Sequence, residues 1–204
     1  MAVALSLMLA YFLGSIPFAY LIGRLNGTDI RKVGDHNVGA FNVFRHVGPT
    51  AGIATLLADI GKGTLAVLVA KALCEEELVA FFAGGAAVVG HNWPVFLHFQ
   101  GGRGEAVTIG VFLVLLSREI PITLGMAIVL LFITRNAIWC GVMLFVPLPL
   151  LCWLFGEPIS LLVYSMALPC VSGLTHWLTT RRLAPEAQEE AKMFWIAPKV
   201  ERKR

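Results

Sequence analysis

Charge is scarce in this chain: 204 residues carry 16 Lys and Arg and 13 Asp and Glu, a formal net charge of +3. So small a balance, with its basic residues in short loops and the tail, excludes the concentrated basic face that nucleic-acid binding requires. Cysteine is also sparse. Cys74, Cys140, Cys152 and Cys170 form no CxxC pair and no Cys/His cluster. That implies neither a metal site nor a disulfide framework, so buried thiols are expected. Internal repeats, low-complexity stretches and lipidation motifs are missing as well. The first 22 residues lack a basic leader and a clear cleavage site, so a retained first span is expected rather than a removed signal peptide.

What the chain does have is apolar length. Hydrophobic residues make up 57% and mean hydropathy is +0.77, which together indicate an integral membrane protein. A helix needs roughly 20 apolar residues to cross the hydrocarbon core. That ruler predicts an all-α polytopic protein with about seven spans, at 3–23, 56–74, 78–96, 105–117, 120–134, 137–155 and 158–178. The fourth and fifth are short, and a merged or re-entrant element there is the alternative. Residues 38–54 are too polar for a span and read as an interfacial helix leading into the second. Residues 1–180 would form one membrane domain and 181–204 a basic tail, resting on the membrane surface through Met193, Phe194, Trp195 and Ile196. With seven spans, Arg24, Arg31, Lys32, Arg45, Arg103, Arg135 and the tail share one side, while Glu75, Glu76 and Glu77 lie on the other. The positive-inside rule then predicts the N-terminus out and the C-terminus in.

Polar residues interrupt this pattern in a few islands, and irregular polar backbone survives at membrane depth only where protein or water satisfies it. Asp59 and Lys62 stand three apart, hence on one helix face. They read either as a pair that locks the helix or as an ammonium offered to an anion and oriented by its carboxylate. Gly101-Gly102-Arg103-Gly104 precedes an apolar helix, where backbone N–H groups, the macrodipole and an arginine fork favour phosphate. A plain turn is the alternative. His91, with an ordinary pKa near ~6.5, is the candidate general base beside the helix-breaking Pro94. Asn37, Asn42 and Arg45 recur among small residues upstream. Arg45, Lys62 and Arg103 thus form three cations near one membrane face, which suits a phosphorylated, membrane-proximal substrate.

The order of these blocks resembles one family. Gly14-Ser15-Ile16-Pro17, GxxNxGAxNxxR from Gly34 to Arg45, DxxKG from Asp59 to Gly63, and GHxxPxFxxFxGG from Gly90 to Gly102 are similar to the bacterial acyl-phosphate-dependent glycerol-3-phosphate acyltransferases, the PlsY family. The resemblance implies a bacterial inner-membrane enzyme with its site facing the cytoplasm. It would move an acyl group from acyl phosphate to the 1-hydroxyl of glycerol 3-phosphate, forming lysophosphatidic acid without a cofactor. Carried over by position, His91, Lys62, Arg103 and Asp59 would serve catalysis. Asp35, Asn37, Asn42, Arg45, Gly101, Gly102, Gly104, His176 and Thr179 would hold substrate or phosphate.

Several positions depart from the family pattern. Asp35 stands where the family has Ser, His36 for Gly, Phe41 for Thr, Arg103 for Lys, Glu105 and Val107 for small neutral residues, and Thr179 for Asn. Asp35 and Glu105 put carboxylates beside a phosphate site. At an effective ε near ~20, like charges ~4 Å apart repel by about 4 kcal/mol. A cation paired with Asp35 would relieve that repulsion. Otherwise the chain would be a divergent relative with another acceptor, or a binding protein without catalysis.

Overall fold

A computed structural model describes residues 1–193. The expected surface placement of Phe194, Trp195, Ile196 and the basic residues after them lies outside the described residues.

The fold starts with a broken span. Helix α1 (Ala2–Ser15) stops at Ile16, whose backbone is extended as a residue before proline must be, and α2 (Phe18–Leu25) resumes after Pro17. The single predicted span at 3–23 is therefore two helices, and the carbonyl of Ile16 turns inward at the break. A loop and a 3-10 turn (Ile30–Lys32) lead to the short helix α3 (Ala40–His46), which covers part of the 38–54 segment expected as one interfacial helix; its remainder, from Pro49, belongs to the next helix. Ala19, Ile30, Val38, Val43 and Leu97 form a small core that fixes this segment to one end of the bundle.

Helix α4 (Pro49–Leu73) begins seven residues before the predicted 56. Thr50, Gly52 and Thr55 depress the apolar count there, yet Gly52 packs on the backbone of Phe44 and Thr55 bonds the carbonyl of Ala51. Protein contacts, not lipid, complete that first turn. Helix α5 (Glu77–Asn92) ends at Trp93, ahead of Pro94. Next come α6 (Glu105–Leu115), α7 (Glu119–Thr134), α8 (Ala137–Phe145) and α9 (Leu148–Leu154), the last two separated at Pro147. The chain closes with α10 (Ile159–Thr180) and α11 (Pro185–Lys192).

Among the described residues, five stretches are long and apolar enough to cross a membrane: Ala2–Leu25, Pro49–Leu73, Glu77–Leu97, Ala137–Leu154 and Ile159–Thr180. The predicted spans at 105–117 and 120–134 are the shorter apolar helices α6 and α7, of 11 and 16 residues. Burial is inverted relative to a water-soluble bundle. Leu57, Phe82, Ile133, Trp153 and Ile159 point outward, while Ser15, Asn42, Asp59, Lys62, His91, Asn92 and Thr108 are buried within. Lipid covers the first set; the protein must satisfy the second.

Helix α1 packs on α5, and α4 on both α1 and α6. The α4–α6 contact is close enough to require glycine. A Cβ at Gly110 would collide with the carbonyl of Ile60, and one at Gly63 with the carbonyl of Val107. Thr64 Oγ1 donates to the Gly110 carbonyl across the same seam at 2.9 Å. Gly110→Leu is expected to force these helices apart and cost about 1–3 kcal/mol or more. A lowered thermal unfolding midpoint in detergent checks this; an unchanged midpoint contradicts so tight a seam.

Candidate active site

Three segments meet where α4, α5 and α6 approach the loop before α3. At the centre, Lys62 Nζ has three acceptors: Asp59 Oδ1 at 2.8 Å, the freed Ile16 carbonyl at 2.8 Å and His91 Nδ1 at 2.9 Å. An ammonium has three N–H groups and no lone pair. All three donors are therefore committed, and His91 Nδ1 must be the acceptor, which leaves the ring proton on Nε2. This bears on two expectations. Lys62 stands behind His91 and fixes its ring, and with Nδ1 accepting from Lys62 it is Nε2–H that His91 has left to offer as a donor. Asp59 lies 3.7 Å from His91 Nδ1 and completes the cluster.

The second cluster holds the arginines. Asp35, between Gly34 and His36, both with positive φ, directs Oδ1 to Arg45 Nη2 at 3.2 Å and Oδ2 to Arg103 Nη1 at 2.9 Å. All three side chains are buried. Asp35 thus bridges two guanidinium groups, as a phosphate with two free oxygens would. Arg45 is also tied to α11: Nε is 3.9 Å from Glu190, Nη1 donates to the Met193 carbonyl at 2.5 Å, and Glu190 pairs with His46. Burial pushes the Arg45 pKa down from its ordinary value, opposed by the charges of Asp35 and Glu190. Sequence reasoning missed α11 as part of the site. Glu186, Glu189 and Glu190, three carboxylates close together in a tail rich in Lys and Arg, were the available signal.

Both clusters open on one cavity of about 340 Å³. Asp35, Asn37, Arg45, Asp59, His91, Arg103, Gly104, Glu105 and His176 give it a polar end; Ile60, Ile109, Leu124, Ile128, Cys140 and Leu144 give it an apolar one. Gly104 is needed on this wall. Its φ is +85°, and a Cβ there would meet Asn92 Oδ1 at 2.7 Å and Ser172 Oγ at 3.0 Å.

Other candidates lie elsewhere. Asn42 is fully buried, its Nδ2 directed at the carbonyls of Ile30, Val33 and Asn37 at 3.0–3.2 Å, so it braces the Asp35 loop from behind. The N–H groups of Gly101 and Gly102 bond the last carbonyls of α5, those of Asn92 and His91. They fasten a turn and are not offered to phosphate. Thr179 Oγ1 donates to its own helix, to the carbonyls of Thr175 and His176. In each case the donor bonds a backbone carbonyl of the protein.

A helical bundle with an apolar exterior, buried charges and a cavity lined by both polar and apolar residues defines a polytopic membrane protein. The profile described as glycerol-3-phosphate acyltransferase matches residues 4–186. Glycerol-3-phosphate acyltransferase 4 of Dehalococcoides mccartyi is 42% identical over 179 residues, 87% of this chain and 97% of the relative. The glycerol-3-phosphate acyltransferase of Endomicrobium trichonymphae is 32% identical across 93% of this chain and 96% of its own. Among solved structures, PlsY, an integral membrane glycerol 3-phosphate acyltransferase, superposes in its glycerol 3-phosphate form with a TM-score of 0.81 at 28% identity, covering 89% of this chain and 92% of PlsY. Its lysophosphatidic acid form gives 0.77. This chain belongs to the glycerol-3-phosphate acyltransferase family, as a member of its PlsY branch.

Proposed function

We propose that the protein transfers a fatty acyl group from acyl phosphate to the 1-hydroxyl of glycerol 3-phosphate, releasing phosphate and lysophosphatidic acid. The observation that carries this is the shared cavity whose lining joins His91, Arg45 and Arg103 to Ile109, Leu124, Ile128 and Leu144. The PlsY neighbours, in glycerol 3-phosphate and lysophosphatidic acid forms, support the choice of acceptor and product. In this mechanism the acceptor hydroxyl attacks the acyl carbonyl carbon. His91 Nε2–H donates to the developing oxyanion while the Lys62 charge behind it strengthens that donor. Arg45 and Arg103 hold phosphate oxygens, with Asn37 at the rim, and the acyl chain lies along Ile109, Leu124 and Leu144. The arrangement that goes with it has residues 1–180 crossing a bacterial inner membrane seven times, α6 and α7 included, with the N-terminus outside and the cavity toward the cytoplasm.

The test is purified protein with palmitoyl phosphate and glycerol 3-phosphate, followed by chromatography of the lipid product. Lysophosphatidic acid is the expected result. Its absence, under conditions where PlsY makes it, overturns the proposal. Asp35 in the arginine bridge favours a second reading, a divergent relative with an acceptor lacking phosphate or with none. Turnover of palmitoyl phosphate with glycerol but not glycerol 3-phosphate would select it.

A further inference from the structure

One buried carboxylate takes no part in the cavity. Glu119, the first residue of α7, is 1% exposed and does not line the cavity. Its Oε1 has no hydrogen-bond partner. Among the described residues no Lys, Arg or His pairs with it, and its neighbour Arg118 is exposed. Leu116 and Ile120, on either side of this turn, are buried in the main apolar core. A carboxylate enclosed in that way needs a counter-charge. The start of α7 does not supply a donor in its place. A helix N-terminus favours a carboxylate through its free N–H groups. Here Pro121 lacks one, and the Ile120 N–H bonds the Leu116 carbonyl.

The polar groups near Glu119 offer lone pairs. Thr123, one turn along the same face of α7, is fully buried, and its Oγ1 donates to the Ile120 carbonyl at 3.3 Å. Buried Ser165 of α10 likewise donates to the Leu162 carbonyl at 2.7 Å. Cys152 of α9 connects the two helices, lying against Ser165 and within electrostatic reach of Glu119. Each hydroxyl commits its proton to its own helix, so what it has left is acceptor capacity. Helix α6 ends four residues before Glu119, and the carbonyls of Leu113, Val114 and Leu115 receive no backbone N–H. Such carbonyls point along the axis toward the negative end of the helix. We infer that Glu119 anchors a binding site for a small monovalent cation such as Na⁺, completed by Thr123, Ser165 and carbonyls at the end of α6.

Charge and ligand type select the ion. One carboxylate is balanced by one positive charge, whereas a divalent ion would leave an uncompensated charge in an apolar surrounding. Glu157, the other carboxylate near Cys152, is only half-buried in the turn before α10, so water still reaches it and it adds no charge to the enclosed set. Carboxylate, hydroxyl and carbonyl oxygens are hard ligands. Among the described residues no group of three His, Cys, Asp or Glu could hold a metal by side chains alone. The cation would join the end of α6 to the start of α7 and, through Ser165, to α10. Its role is to stabilise the bundle at a place outside the cavity, and it does not depend on the reaction proposed above.

The experiment follows the thermal unfolding midpoint of the full chain in neutral detergent, with NaCl or KCl exchanged for choline chloride at constant ionic strength. Sodium is expected to raise the wild-type midpoint saturably, by about 4 °C or more over choline. Glu119→Gln should make the midpoint the same in every salt. Thr123→Val, which removes one oxygen and keeps the shape, should raise the sodium concentration for half the effect about tenfold. An equal rise with potassium supports the site and widens the ion class to alkali cations. A wild-type midpoint that does not respond to the exchange overturns the inference, because Glu119 then carries a proton and holds no metal ion. A sodium response that survives Glu119→Gln also overturns it, since the ion then binds elsewhere. So does a larger rise with CaCl₂ that Glu119→Gln removes, which would make the site divalent. Thr123→Val carries the test if Glu119→Gln does not fold, and an unshifted sodium response in that variant counts against the site.

Discussion

Lys62→Met is expected to abolish acyl transfer, lowering kcat/KM about 10³-fold or more, and to destabilise the fold by about 3–5 kcal/mol. Both effects follow from one geometry. Lys62 Nζ holds His91 by Nδ1, neutralises Asp59 and satisfies the Ile16 carbonyl released at Pro17. Methionine fills the space and leaves Asp59 as a buried carboxylate without its cation. The ring of His91 is then free to change tautomer and turn away from the oxyanion position. The double variant Asp59→Asn, Lys62→Met separates the two losses. Neutralising both partners should recover most of the unfolding midpoint in detergent, since a pair replaced by neutral groups costs far less than a pair broken. It should not recover lysophosphatidic acid formation. A double variant that is stable and active would reduce Lys62 to a structural role and remove His91's alignment from the mechanism.

The parts of this site that local spacing controls were legible in the sequence. Asp59 and Lys62, three residues apart on an apolar helix, had to share a face, and they do. Pro94 had to end a helix, and α5 stops before it. The long helices α4, α5 and α10 announced themselves by apolar length. Where protein rather than lipid surrounds a segment, length misleads: α4 gains its first turn from contacts with α3, and the 3–23 and 137–155 runs are each broken by a proline that hydropathy averages away. Partners distant in sequence were not legible. Asn42 and the Gly101–Gly102 turn carry the residue types of a phosphate cradle, but whether an N–H meets a ligand or a carbonyl depends on which backbone folds against it. Asp35 and Arg103 are 68 positions apart in a single chain, so their bridge was visible only as a charge that needed a counter-charge. Glu190 was hidden for another reason. Its neighbourhood reads as a solvated tail, and only the docking of α11 brings it to Arg45.

Asp35→Ser is expected to lower the KM for glycerol 3-phosphate by about tenfold or more while destabilising the ligand-free protein. In the wild type, Asp35 occupies both guanidinium groups that the substrate phosphate would use, so an incoming phosphate must displace a carboxylate already in place. A charge pair ~4 Å apart at an effective ε near ~20 interacts by about 4 kcal/mol, which sets the scale of that competition. Serine lifts the competition but strands Arg45 and Arg103 together, buried and without their bridge. Inorganic phosphate or glycerol 3-phosphate should therefore raise the unfolding midpoint of Asp35→Ser far more than that of the wild type, since binding restores what the substitution removed. The paired measurements also decide between acceptors. A lower KM for glycerol 3-phosphate with an unchanged product places Asp35 as a brake on an otherwise ordinary phosphate cradle. If the wild type acylates only glycerol and the serine variant gains glycerol 3-phosphate, Asp35 is the residue that excludes a phosphorylated acceptor. No change in either KM or midpoint would mean that the two arginines do not bind the substrate phosphate at all, and the cradle assigned to them would have to be abandoned.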